Sequence, residues 1–159
     1  MTASRTGVAL LALGLAITGC ALLLGSEDGP GEPGPGSMDD PHRYAEALTD
    51  AVAAVRAGHD LPVPARSGCA ADAAVVRAGD LIGSELVHAP LDDVLSDCGV
   101  ALAAENLSRT AAAPGDVVEA WLASPGHRDN LLDPELTGAG AGCVRDGTEL
   151  LCALVLTGD

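Results

Sequence analysis

The sequence has no lysine and no phenylalanine, and Tyr44 and Trp121 are its only tyrosine and tryptophan. Its eight basic residues are all arginine and face 23 Asp and Glu, for a formal charge of −15 over 159 residues. The acids are spread from Glu27 to Asp159, so there is no basic stripe to neutralise a phosphate backbone, and nucleic acid is excluded as a partner. Without phenylalanine the interior has to be filled by Leu, Val and Ala, which bury less apolar area per residue and predict a thin core. The length suits one domain, and no internal repeat is evident. CxxC pairs are absent as well. The five cysteines stand at positions 20, 69, 98, 143 and 152, a spacing that fits disulfides in an oxidising compartment better than a structural zinc site.

The odd cysteine is Cys20, which ends the string Ile17-Thr18-Gly19-Cys20 inside an apolar run. That string resembles a bacterial lipobox, in which the signal peptide is cut before a lipid-modified cysteine. From Thr6 to Ser26 the chain is uncharged, with Arg5 on one side and Glu27-Asp28 on the other, the polarity of an export signal. The run continues past Cys20 through Ala21-Leu22-Leu23-Leu24, and at ~1.5 Å per residue a helix of that length covers roughly 30 Å, so an uncleaved signal anchor is the competing reading. Either way residues 1–25 predict a membrane tether, with lipid as its partner and the rest of the chain extracytoplasmic or secreted. Residues 26–41, SEDGPGEPGPGSMDDP, predict a disordered, solvated spacer. The domain is then 42–159, expected as a monomer.

Within the domain, Asp40 and Pro41 predict a helix start and Gly58 its stop, with Tyr44, Leu48, Ala51, Val52 and Val55 on one face. The prolines of Leu61-Pro62-Val63-Pro64 demand extended chain, after which a second helix is expected from about Cys69 to Ile82, striped by Ala70, Ala74 and Ala78. Pro90 and Gly99 frame a short third helix that carries Cys98 toward the core. A strand is expected over Val100 to Leu107, then a helix capped by Asp116 that buries Val117, Val118, Trp121 and Leu122 and ends at Pro125. The closing segment, AGAGCVRDGTELLCALVLTG, has a turn between two apolar runs and predicts a hairpin. A turn centred on Gly147-Thr148 sets Cys143 opposite Cys152, and one centred on Asp146-Gly147 sets them diagonally. Pairing these two leaves Cys69 with Cys98, one of three connectivities, each bridge contributing about 2 to 4 kcal/mol.

At Ser124-Pro125-Gly126-His127 the proline removes a helical hydrogen bond and the glycine allows a change of direction, so a new short helix is expected from His127 to Leu132, re-aiming the imidazole. Ser124, ahead of Pro-Gly, is expected to hydrogen-bond at the helix end. Three strings together carry a likeness to a known family: Ala104-Glu105-Asn106-Leu107; Trp121 with Ser124-Pro125-Gly126-His127-Arg128 and Asn130-Leu131-Leu132; and Gly138 to Gly142. From about Arg43 to Gly158 the chain resembles the CAP superfamily of cysteine-rich secretory, antigen 5 and pathogenesis-related proteins, in its bacterial SCP-like form.

The resemblance implies an α+β fold, a three-layer α-β-α sandwich with a small mixed sheet and a central cleft. Members place two histidines and acidic side chains in that cleft. Matched residue by residue, these fall on His88, Glu105 and His127, while a fourth position that is acidic in many members is Ser124 here. Lipid or sterol binding, proteolysis and signalling have been proposed for different members. The expected function is therefore binding of a hydrophobic or sterol-like ligand, a divalent ion or a cell-envelope component at the His/Glu cleft. The alternatives are a metal-assisted hydrolase with Glu105 as general base on water held by the two histidines, and a structural wall or adhesion protein. Two imidazoles and a carboxylate are the donor types of an open zinc site, and equally of a hydrogen-bonded polar cluster without metal. Asn106 and Asn130 have backbone-bonding roles open to them, Trp121 reads as core, and His42 and His59 as exposed.

Overall fold

The structure is a computed structural model that describes residues 37–159. The tether, Cys20 and the spacer up to residue 36 lie outside the described residues. Ser37 to Asp40 form a turn that leads directly into the first helix. That helix, α1, spans Pro41–Gly58, with the Asp40 carboxylate accepting from the backbone N–H groups of His42 and Arg43 as the local sequence predicts. α2 spans Gly68–Asp80, capped by Ser67, and α3 spans Asp92–Cys98, closed by Gly99 in the left-handed conformation. Ile82, expected to continue the second helix, lies beyond its end and is exposed.

Four strands form one sheet in the order β1-β3-β4-β2, where β1 is Ala65–Arg66, β2 Leu102–Thr110, β3 Gly138–Asp146 and β4 Glu149–Gly158. β1 pairs parallel with β3, and the other pairs are antiparallel. β1 was not expected from the sequence: two residues carry no periodicity, and the strand exists because β3 offers an edge. The hairpin turn falls on Gly147-Thr148, so Cys143 faces Cys152 in the register and the two are bridged, as are Cys69 and Cys98.

Two departures from the sequence reading share a cause. α4 spans Pro114–Ala123 and α5 spans Pro125–Leu132, so each begins on a proline. A proline's fixed φ suits the first helical position, where its missing N–H costs nothing. Asp116 is thus no cap but lies in the first turn of α4, where its carboxylate opposes the helix dipole. α5 starts two residues before His127, and the bend between the helices is made by one extended residue, Ser124 (φ −99°, ψ 119°), whose side chain makes no capping hydrogen bond.

β4 is buried on both faces, which is why it reads as an unbroken apolar run. Leu150, Cys152, Leu154 and Leu156 meet α1, α4 and α5 residues such as Tyr44, Leu48, Val118, Trp121 and Leu131. Leu151, Ala153 and Val155 meet Ala70, Ala74, Ala78 and Val94 of α2 and α3. The second layer is made of small side chains and closes only because the backbones approach. A Cβ at Gly140 would lie 2.3 Å from the Ala71 nitrogen, and one at Gly142 would lie 2.2 Å from that of Val75. The alternation Gly-Ala-Gly-Ala-Gly over 138–142 thus turns bare backbone toward α2 and methyl groups toward α1, a substitute for the missing aromatic bulk.

Candidate functional site

His88, Glu105 and His127 come from three separate segments: the extended chain before α3, the centre of β2 and the first turn of α5. They meet at an open cleft of about 470 Å³, lined also by Leu91, Ala103, Ala104 and Ser124. The His88 and His127 rings are 6.3 Å apart between centroids and tilted by 53°.

Glu105 is the buried member, with 4% of its side chain exposed against 53% for His88. One carboxylate oxygen accepts from Nδ1 of His88 at 2.8 Å. The other accepts from Nε of Arg77, a buried arginine on α2. Because an ionised carboxylate only accepts, the proton of a neutral His88 ring resides on Nδ1, which leaves Nε2 as a bare acceptor at the cleft. Arg77 also donates from Nη2 to the Ala89 carbonyl at 2.9 Å and from Nη1 to the Pro90 carbonyl at 3.3 Å, with the mostly exposed Asp93 at 3.4 Å. One guanidinium therefore balances the buried carboxylate and ties down the segment that carries His88.

His127 is placed through its backbone. Asn106, fully buried, donates from Nδ2 to the His127 carbonyl at 3.1 Å, while its Oδ1 accepts from Asn130 Nδ2 at 2.9 Å, and Asn130 Nδ2 also reaches the Glu105 carbonyl at 3.2 Å. The far end of α5 is held by Arg56, which is wholly buried and donates to the carbonyls of Leu131 and Asp133 at 2.9 and 2.7 Å. No hydrogen bond engages either ring nitrogen of His127 among the described residues. Burial lowers the pKa of this imidazole below its ordinary value, and the neighbouring His88 lowers it further. Trp121 is buried, donates from its indole to the Leu107 carbonyl at 3.0 Å, and lies 6.5 Å from the His127 ring. Gly126 is helical; a Cβ there would meet nothing within 4 Å, so its lack of a side chain leaves space beside the cleft. His42 and His59 are exposed and remote from the site, one on α1 and one at its end.

Arg77 and Arg56 escaped the sequence reading. The signal for Arg77 was available: it lies on the buried stripe Ala70, Ala74, Ala78 at helical spacing, and a charge there requires a partner. Nothing local identifies that partner.

This arrangement suits a hydrogen-bonding cleft. A catalytic zinc site takes three protein ligands, whereas Glu105 here is hydrogen-bonded through one oxygen to Arg77 and through the other to His88. Among the described residues no three His, Cys, Asp or Glu side chains are placed to share a metal ion. The donor set does not fit the zinc reading.

A family model described as CAP: Cysteine-rich secretory protein family matches residues 49–156. YkwD of Bacillus subtilis (strain 168), described as uncharacterized, is 38% identical over 58 residues, which make up 35% of this chain and 23% of YkwD. The fold is similar to that of an extracellular protein containing an SCP domain from Bacillus anthracis str. Ames, with a TM-score of 0.66 and 26% identity over 79% of this chain and 45% of that one. A cysteine-rich secretory protein from Staphylococcus aureus (TM-score 0.66, 17% identity, 77% of this chain and 41% of that one) shares the fold alone. So does an outer surface protein from Borrelia burgdorferi (TM-score 0.65, 21% identity, 76% of this chain and 95% of that one). The alignments thus span less than half the length of the Bacillus and Staphylococcus proteins.

Proposed function

The chain belongs to the CAP family of cysteine-rich secretory proteins, and from that premise we propose that it is an extracytoplasmic binding domain, tethered to the cell membrane by its N-terminal segment. Its cleft at His88, Glu105 and His127 takes a small envelope component with a polar head and an apolar body. The observation that carries this reading is the commitment of Glu105 to Arg77 and His88, which turns a set of reactive residue types into a fixed hydrogen-bonding surface. His88 offers a bare Nε2 and His127 a ring without partners, so both face a ligand head unsatisfied. Leu91, Ala103 and Ala104 supply the apolar wall. The cleft volume of about 470 Å³ falls within the ~300–1,000 Å³ of small-molecule sites. The extracytoplasmic setting is supported by the two disulfides and by similarity to proteins described as extracellular. No helix among the described residues is long and apolar enough to cross a membrane, so the tether rests on residues 1–25.

The test is recovery of bound material. The full chain, expressed in a bacterial envelope and purified in mild detergent, is extracted and analysed by mass spectrometry beside His88→Ala/His127→Ala. At least one amphiphilic envelope species is expected to be enriched at least tenfold over the double variant, which removes both hydrogen-bonding anchors. Equal recovery from both proteins overturns the reading. Mass spectrometry of the mature N-terminus tests the tether: an intact Met1 excludes cleavage before Cys20.

A further inference from the structure

A second cavity, of about 590 Å³, lies away from the histidines as a groove between α1 and α2. Its floor is the outer edge of β3. β1 covers that edge only opposite Gly138 and Ala139, through hydrogen bonds from Ala65 N–H to the Thr137 carbonyl and from Ser67 N–H to the Ala139 carbonyl. The strand alternation then aims the N–H and C=O of Ala141 and Cys143 to the same outward side, and the register with β4 leaves them there. Both residues line the groove, and among the described residues no protein group pairs with the outward N–H and C=O of either one. Two successive residues of open sheet edge at the floor of a groove are a template on which another chain can pair.

The walls define the occupant. α1 runs antiparallel to β3, since Arg145 reaches the Met38 carbonyl at one end and Arg66 pairs with Asp50 at the other. α2 runs parallel to it, with Gly140 against Ala71 and Gly142 against Val75. Ala45 on α1 and Ala71 on α2 are small residues of the two walls. Each wall also presents an exposed acid, Glu46 on α1, whose exposed neighbour His42 lies 3.9 Å away and pairs with it only when protonated, and Asp72 on α2. Arg66, the groove's arginine, is already paired with Asp50. Adjacent side chains of a strand point to opposite faces, so two consecutive basic residues reach one acid each.

We infer that this groove binds an extended peptide with two adjacent basic residues flanked by small ones, which adds a strand to β3 beyond β1. A second copy of the chain is unsuited: its own β3 edge is recessed between helices, and each molecule carries a formal charge of −15. The chain's own spacer is unsuited too, because Glu27, Asp28 and Glu32 repeat the sign of the walls and Pro30, Pro33 and Pro35 lack the N–H a ladder needs.

The test is a titration of the ¹⁵N-labelled full chain, in neutral detergent, with the blocked hexapeptide Ala-Val-Lys-Lys-Val-Ala. Saturable shifts are expected at the Ala141 and Cys143 amides, with binding at least tenfold weaker for the Ala-Val-Glu-Glu-Val-Ala peptide and for the chain carrying Glu46→Lys/Asp72→Lys. Those two positions are exposed, so the variant's melting temperature is expected to stay unchanged and serves as its folding control. A Lys-Lys peptide N-methylated at alternate amides is expected not to bind. Binding weaker than about 1 mM, equal binding of the N-methylated peptide, or shifts confined to the His88 and His127 cleft overturns the inference.

Discussion

Replacing Arg77 by methionine leaves the Glu105 carboxylate, with 4% of its side chain exposed, facing an apolar side chain of similar length. Of the interactions lost, those with Asp93 count for little, because that carboxylate is 62% exposed and its pairing is screened. The Ala89 and Pro90 carbonyls belong to exposed residues that water can reach. The cost therefore rests on the stranded buried charge, and removing one partner of such a pair costs about 3 to 5 kcal/mol. His88, still hydrogen-bonded to Glu105, argues for the lower end of that range. For a domain of this size that amounts to a fall of about 10 to 20 °C in melting temperature. The decisive arm is the double variant Arg77→Met/Glu105→Leu, in which no charge is stranded and at least half of the loss is expected to return. Urea unfolding with disulfides intact measures both. A loss under about 1 kcal/mol in the single variant, or a double variant no better than the single, refutes the account of Arg77 as the counterion that makes Glu105 tolerable in the core.

Three further outcomes are expected. In an NMR titration the His127 ring titrates below the ordinary histidine value, and His88→Ala moves it part of the way back, because burial remains the larger cause. A histidine whose folded pKa is depressed contributes its full stability above the unfolded value of about 6.5 and loses it as pH falls below that value, so acid unfolding is expected to ease slightly in this window. Gly142→Ala drives a methyl into the backbone of Ala74 and Val75 and is expected to cost about 3 kcal/mol by urea unfolding, whereas Gly126→Ala, helical and with open space around it, is expected to stabilise by up to about 1 kcal/mol. Replacing Cys69 and Cys98 by alanine is expected to cost about 1 kcal/mol more than replacing Cys143 and Cys152, since the closed loops differ as 29 residues to 9; equal losses would show that chain entropy does not govern these bridges.

The residues that the sequence places at the cleft and the residues that hold them there were not equally legible. Asp40, Pro41 and Gly58 bound α1 by contacts within a turn of the chain, and the apolar runs around the Gly147-Thr148 turn bring Cys143 and Cys152 together over nine residues. Signals of that range act on neighbours, so a linear reading finds them. The starts of α4 and α5 were misplaced because two local signals competed, a capping acid or a glycine against a proline, and the proline's fixed φ prevailed.

By itself the sequence determined the helices that cap themselves, the closing hairpin and the family strings that carry Glu105 and His127, with His88 matched beside them. Only the tertiary structure decided what those three groups can do. It set Arg77 against Glu105 across 28 residues of chain and Asn106 beneath His127 across 21, and it left β3 open beside α1 and α2. The reason is that a buried charge or an unpaired backbone group acquires its chemistry from whatever packing brings within hydrogen-bond reach, and that neighbour is chosen by the fold as a whole.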